Sequence, residues 1–253
     1  MKKMTLSNGV NLYYSIIENP KKSLSNIEKK SLICKSNDLI KLAWGDFGEN
    51  YIEESLFHSD LSLFLYDEKN NLIGIAPITK MLISNREILS FGLTVIHPKY
   101  RNLSLMKKMY TILGKKILLS SIMNGKFSFE FVFFTPNVKT IMSLTKIATF
   151  LYPNPHMINI DTGKMAVADD ETWGIISKYL EYTGYGYLPL EREGAVLSGF
   201  YDDKKHLVQE NNFVDKENVK LALFVKNYLK PGKEVIVRSR ISVLSLLTIH
   251  NKI

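Results

Sequence analysis

Residues 91–106 read Phe-Gly-Leu-Thr-Val-Ile-His-Pro-Lys-Tyr-Arg-Asn-Leu-Ser-Leu-Met. The apolar run through Val95 and Ile96 predicts the end of a strand, Pro98 a turn, and the stretch from Ser104 a helix. A strand that runs into a helix N-terminus is a place to hold phosphate. The first helical N–H groups lack intrahelical acceptors, and the helix dipole favours negative charge there. Arg101 adds a cation and Ser104 a hydroxyl donor. The chemistry these residue types offer is the grip of an anionic group.

A second candidate is Glu130, set inside the apolar run 127–134. A carboxylate facing inward from such a strand has a raised pKa and can take a proton. A solvated edge position is the alternative. Glu87 opens a strand and reads equally as a turn charge. His97 precedes Pro98 at a strand end and is expected to be exposed. Tyr182, Tyr185 and Tyr187 either line a pocket or decorate a turn. Cys34 is alone, so no intramolecular disulfide is expected. On a predicted strand over 31–35 it reads as a small buried hydrophobe. No metal-ligand set is read.

The elements that must position these groups follow from periodicity and turn residues. The chain has 253 residues, 45% of them hydrophobic and 23% charged, ordinary globular proportions. No apolar run is long enough to cross a membrane and no secretory leader is read, so a cytoplasmic protein is expected. The net charge is +8, with basic residues scattered in pairs rather than in one block. That charge fits an anionic cofactor, an acidic protein, a membrane surface or nucleic acid, with no basic block to mark sequence-specific nucleic-acid binding.

Along the chain, a strand is predicted over 10–17 and a loop to about 27. The short strand over 31–35 follows, then a helix capped by Ser36, Asn37 or Asp38, and a second helix over 49–57. Trp44 and Phe47 are expected to pack these helices on a sheet. Three strands over 61–66, 72–83 and 86–96 form an antiparallel meander, with Pro77 marking a bulge or an edge. A helix over 104–121 has an apolar stripe and a lysine face. The strand 127–134 comes next, and strand, helix, strand predicts a parallel βαβ pairing. A helix is expected over 137–150. The tail adds helices over 171–182 and 216–229, stopped by Pro231 and Gly232, and a long strand over 234–249. The fold class is α/β, with a mixed central sheet flanked by helices. One domain over 1–253 is expected: an N-terminal extension over 1–27, a core over 28–150, and a part over 151–253 that completes the sheet.

The segment 91–106 resembles the acyl-CoA-binding signature of the GNAT N-acyltransferase superfamily, an apolar strand leading into V-x-P-x-x-[QR]-x-x-G-x-[GA]. Ile96 takes the apolar position, Pro98 the proline, and Tyr100-Arg101 the aromatic-then-basic pair. Ser104 stands where the first glycine is usual, and Met106 where Gly or Ala is usual. The order of elements over 28–150 is also similar to that family's. The resemblance implies an N-acyltransferase that moves an acyl group from acetyl-CoA or another acyl-CoA to a small-molecule or peptide amine by direct attack. It implies donor contacts from Thr94, Val95, Ile96, Arg101, Asn102, Leu103, Ser104, Leu105, Met106 and Asn137. Phe131, Phe133 and Phe134 would face the pantetheine arm. Glu130 is the candidate base. Leu144 occupies the place of the family's usual acid, a tyrosine. The altered loop and the positive charge allow an acidic acyl carrier protein as donor, or a protein that has lost catalysis. A homodimer is compatible with the resemblance.

Overall fold

The structure is a computed structural model and describes residues 1–6, 9–199, 219–230, 232–243 and 245. It is an α/β chain with a mixed sheet flanked by helices. Contacts group the chain into two compact units, Met1–Lys80 with Ser90–Gly125 and Met81–Leu89 with Lys126–Ile253.

In the first unit, β1 (Lys2–Thr5), β2 (Asn11–Glu18), β3 (Leu61–Tyr66) and β4 (Leu72–Ile83) pair in sequence, each antiparallel to the last. Leu63, Phe64 and Leu65 of β3 are all fully buried, which accounts for the unbroken apolar run of that strand. Helix α1 (Pro20–Ser23) is a single turn, and α2 (Asn26–Trp44) and α3 (Glu49–Phe57) follow. Residues 31–35, expected as a strand, lie inside α2. The helix starts early because Ser25 and Glu28 form a capping box, with the Ser25 amide donating to Glu28 Oε2 at 2.8 Å. Its buried positions, Leu32, Ser36, Leu39 and Ile40, then recur at helical spacing. Cys34 falls on the other face and is exposed, not buried as expected. Leu39, Ile40, Ile52 and Leu56 meet Phe64 and Ile75 in one core, with Trp44 and Phe47 packed against it.

The third meander strand is broken. Strand β5 (Arg86–Phe91) ends, and β6 (Val95–Ile96) pairs with β4 again after a gap. Pro77 accounts for the gap. Its carbonyl accepts from the Gly92 amide at 3.1 Å. The reciprocal bond of an antiparallel pair cannot form, because proline has no N–H. Thr94 Oγ1 supplies the Gly92 carbonyl with a donor instead, at 3.2 Å. A Cβ at Gly92 would press on the Pro77 ring at 3.0 Å, closer than ordinary van der Waals contact. Pro77 is therefore a mid-sheet break, paired with Ser62 on its other side. Helix α4 (Leu105–Met123) closes this unit, burying Leu105, Met109 and Leu113.

The second unit begins with the tip of the β4–β5 hairpin. Ser84 and Asn85 both have positive φ, 51° and 59°, as a two-residue primed turn needs. Strand β5 lies beside β7 (Ser128–Thr135). Helix α5 (Val138–Thr145) ends before 150, and β8 (Ala148–Tyr152) replaces its expected last turn. Ala-Thr-Phe-Leu-Tyr is strand-forming, and β11 offers the edge that β8 pairs with. Then come α6 (Asp170–Tyr182), β9 (Leu190–Glu191), β10 (Val196–Ser198), α7 (Val219–Tyr228) and β11 (Lys233–Ser242). The expected start of the last helix at 216, Pro231, and the end of the last strand at 246–249 lie outside the described residues. β11 runs antiparallel to β7 from Val235 opposite Thr135 to Ser242 opposite Ser128. Its other edge takes β10 and then β8. Ile175, Ile176 and Tyr179 of α6 cover Val132, Ile236 and Leu197.

Glu234 on β11 is fully buried, opposite Leu197, and neither carboxylate oxygen has a hydrogen-bond partner. Burial alone pushes its pKa well above the ordinary 4.5. Because the folded value is raised, its contribution is most favourable below the unfolded pKa and is lost as pH rises towards the folded one. Glu234→Leu is expected to stabilise the chain at pH 7 by about 1–3 kcal/mol, the penalty of an unpaired buried polar group. Urea unfolding at pH 5 and pH 8 checks this: the gain should be larger at pH 8, and an equal gain at both would refute it.

Candidate functional site

The strand break leads directly into the anion-binding candidate. After the gap, Val95 and Ile96 lie in β6, opposite Ile75 and Gly74. Thr94 is buried, and its hydroxyl lies 2.5 Å from Tyr110 Oη of α4. Burial pushes the Tyr110 phenol up to about 12, opposed by its hydrogen bond with Thr94. The Tyr110 ring also packs on Phe91, centroids 4.6 Å apart. Strand end and helix are thereby tied together across the turn.

The turn is a 3-10 segment, Pro98–Tyr100, capped by His97, whose Nδ1 accepts from the Lys99 amide at 3.1 Å. Burial and the adjacent Lys99 lower the His97 pKa, so it is a neutral acceptor near pH 7. Arg101 does not project freely: its Nη2 donates to the Ala43 carbonyl in the last turn of α2, at 3.0 Å. Asn102 and Ser104 both adopt left-handed backbone, φ 66° and 54°. Ser104 thus keeps the conformation for which the signature's glycine is suited. Its side chain caps no helical amide, and no acidic residue occupies the first turn of α4. Leu105 turns into the core, while Met106 is 36% exposed. Met106 therefore does not fill the interior at the position where Gly or Ala is usual.

The residues expected on the facing strand lie in the second unit. Asn137 caps α5, its Oδ1 accepting from the Lys139 amide at 2.9 Å. Phe131 and Phe133 are buried on one face of β7, and Phe134 falls on the other, packed on Tyr179 and Tyr185. The three therefore do not form one wall, because side chains alternate along a strand. Tyr185 joins that core, whereas Tyr182 and Tyr187 are 60% and 78% exposed. Glu87 is ion-paired with Lys126 at 2.7 Å.

Glu130 faces inward and is 9% exposed. It is not alone. Arg238 Nε donates to its Oε1 at 2.5 Å, and Arg240 and Arg86 stand 3.7 and 3.9 Å from Oε2. Arg238, 2% exposed, also donates to Thr172 Oγ1 at 2.8 Å and to Glu171 at 2.5 Å. The Arg238 and Arg86 guanidiniums hold the Glu171 carboxyl down at about 2. These groups form an ion network whose buried centre is the Arg238–Glu130 pair, with Arg86, Glu171 and Arg240 at its exposed margin. Arg238, Glu171 and Thr172 were not legible as its partners. The one trace is an Arg at an interior position of the apolar run in β11.

A cavity of about 360 Å³ lies beside Glu87, Lys126, Ser128 and Glu130. A second, of about 390 Å³, lies among Lys21, Lys29, Glu53 and His58. Neither is lined by residues 94–106. Among the described residues, no cluster of His, Cys, Asp and Glu could hold a metal ion, and no helix is long and apolar enough to cross a membrane.

No protein-family model matches the chain, and no curated protein matches it. Solved structures that match it include acetyltransferases. One is a GNAT-family N-acetyltransferase from Escherichia coli in complex with CoA, 13% identical, with a TM-score of 0.34 over 49% of this chain. The match spans 62% of that protein, less than two thirds of its length. Another is the ribosomal-protein-S18-alanine N-acetyltransferase of Escherichia coli, 11% identical, TM-score 0.39, covering 55% of this chain and 81% of that one. A third is a putative acetyltransferase of Acinetobacter baylyi, 15% identical, TM-score 0.37, covering 55% and 82%.

Two outcomes test the geometry. A left-handed residue other than glycine costs about 1–2 kcal/mol. Ser104 already bears that cost, so Ser104→Gly should relieve part of it and β-branched Ser104→Val should add to it; equal effects would exclude the left-handed turn. Arg238→Leu strands a buried carboxylate and is expected to cost about 3–5 kcal/mol. Adding Glu130→Leu should restore most of that loss, as read by urea midpoints. Additive losses would mean that the two side chains are not coupled.

Proposed function

We propose that this chain is an N-acyltransferase, moving an acyl group from a thioester donor to a primary amine. One observation carries the reading: a strand broken at Gly92 leads, through a 3-10 turn, to a helix whose first turn is uncapped and free of carboxylates. The residues fit an anionic donor. The first-turn amides of α4 would hold the pyrophosphate of acyl-CoA, with the left-handed Ser104 aiming them. Thr94, Val95 and Ile96 would lie along the pantetheine arm, as the resemblance implies. In the reaction the amine nitrogen attacks the thioester carbonyl, the C–N bond forms and the C–S bond breaks. The amine's proton is lost and the departing thiolate gains one. Glu130 remains the candidate base, and its ion pair with Arg238 would have to open for its carboxylate to reach the amine.

That same ion pair favours a second reading, a thioester-binding protein without turnover. The expectation of a single domain over 1–253 and of a cytoplasmic setting is retained with either.

Calorimetry with CoA and acetyl-CoA is the direct test. Ser104→Asp places a carboxylate at the uncapped N-terminus, where it would cap the amides and repel phosphate. It is expected to weaken CoA binding at least tenfold. Unchanged affinity, or no binding by the unaltered chain, would overturn the site. Binding without acyl transfer to any of a panel of amines would leave the second reading.

A further inference from the structure

The first unit is electrically lopsided. Within residues 1–80, ten lysines face ten carboxylates, so that part is balanced. Residues 90–125 hold Lys99, Arg101, Lys107, Lys108, Lys115 and Lys116, and no Asp or Glu at all. The excess charge of the unit is therefore concentrated on the turn and on α4. Of these six, Lys116 pairs with Glu18 at 2.5 Å, and Arg101 is held by Ala43. Lys107, Lys108 and Lys115 have no carboxylate within ion-pair distance among the described residues. Helical spacing places Lys108 and Lys115 on one stripe, with Lys107 flanking it.

The same outer face continues as apolar surface. Leu119, Ile122 and Met123 are 66%, 43% and 86% exposed, and they fall on the continuation of the lysine stripe. From Lys107 to Met123 the stripe is about 24 Å long at 1.5 Å per residue. A solvated helix surface alternates its charges and hides its large apolar side chains. This one does neither. Unpaired lysines over two turns, followed by protruding aliphatic groups, make the complement of a single helix lined with carboxylates and ending in apolar residues. A flat anionic membrane would call on basic residues across a whole face, whereas the rest of this unit's charge is balanced.

We propose that the exposed face of α4 is the docking surface for an acidic acyl carrier protein, which would deliver the acyl thioester on its phosphopantetheine. The partner rests on the acyl-transfer reading; the surface itself does not. Carboxylates of the carrier's helix would meet Lys107, Lys108 and Lys115, and its apolar residues would cover Leu119 and Met123. Such a contact is steered by charge and weakens with salt.

The test is binding of the full chain to purified acyl carrier protein in its phosphopantetheine-bearing form, by calorimetry at 50 and 300 mM salt. Binding is expected at low salt and should weaken at least tenfold at high salt. Lys115→Glu with Leu119→Ser should weaken it at least tenfold while leaving CoA affinity unchanged, which also shows that the variant is folded. Three results would overturn the proposal: no carrier binding, carrier binding insensitive to the double variant, or sedimentation with phosphatidylglycerol vesicles that the double variant abolishes while the carrier does not bind. Acyl transfer from acyl-CoA without carrier binding would remove the docking surface and keep the function. Carrier binding without any transfer would do the reverse.

Discussion

One missing hydrogen-bond donor shapes the candidate site. Pro77 sits inside β4, fully buried and paired to β3, yet it offers no N–H to the strand on its other side. The ladder stops at Gly92, a residue whose lack of a side chain lets the chain pass the proline ring. Thr94 then turns its hydroxyl back on the Gly92 carbonyl, and a short strand re-forms further along β4. All that follows, the 3-10 turn, the two left-handed residues and the start of α4, is aimed by that interruption. An ordinary residue at 77 would allow the ladder to continue and the turn to shift with it.

Most of this was readable where local chemistry and tertiary context agree. Leu61–Tyr66 and Leu72–Ile83 are where alternation and turn residues place them, because hairpins are fixed by near neighbours. Residues 31–35, Ser-Leu-Ile-Cys-Lys, are too short a segment to show a period of their own, so strand and helix are indistinguishable there. The deciding signal was the capping box at Ser25 and Glu28, several residues upstream. The 148–152 strand was hidden for the opposite reason. Its partner β11 is some ninety residues away in sequence, and no local pattern announces it.

The site itself divides in the same way. The left-handed turn before α4 is implied by a signature that usually carries glycine, and Ser104 adopts that geometry in spite of its Cβ. The state of Glu130 was not legible. A carboxylate in an apolar strand reads as a proton acceptor until its neighbour on the pairing strand is known, and here that neighbourhood contains Arg238 and Arg240. Long-range pairing decides which partners a buried charge meets. The same holds for Asn137, whose amide oxygen is spent on the first turn of its own helix.

The position of β11 has a consequence for how the chain comes into being. This strand separates β7 from β8 and β10 and carries the arginine that pairs with Glu130, yet it leaves the ribosome well after β7. Until it emerges, β7 has an open edge and a carboxylate facing an apolar layer. Nascent chains carry such open edges as a hazard of pairing with the wrong partner. The second unit must therefore wait, unassembled, through the synthesis of roughly a hundred residues. The first unit, whose strands and helices are complete by Gly125, can settle while that wait goes on.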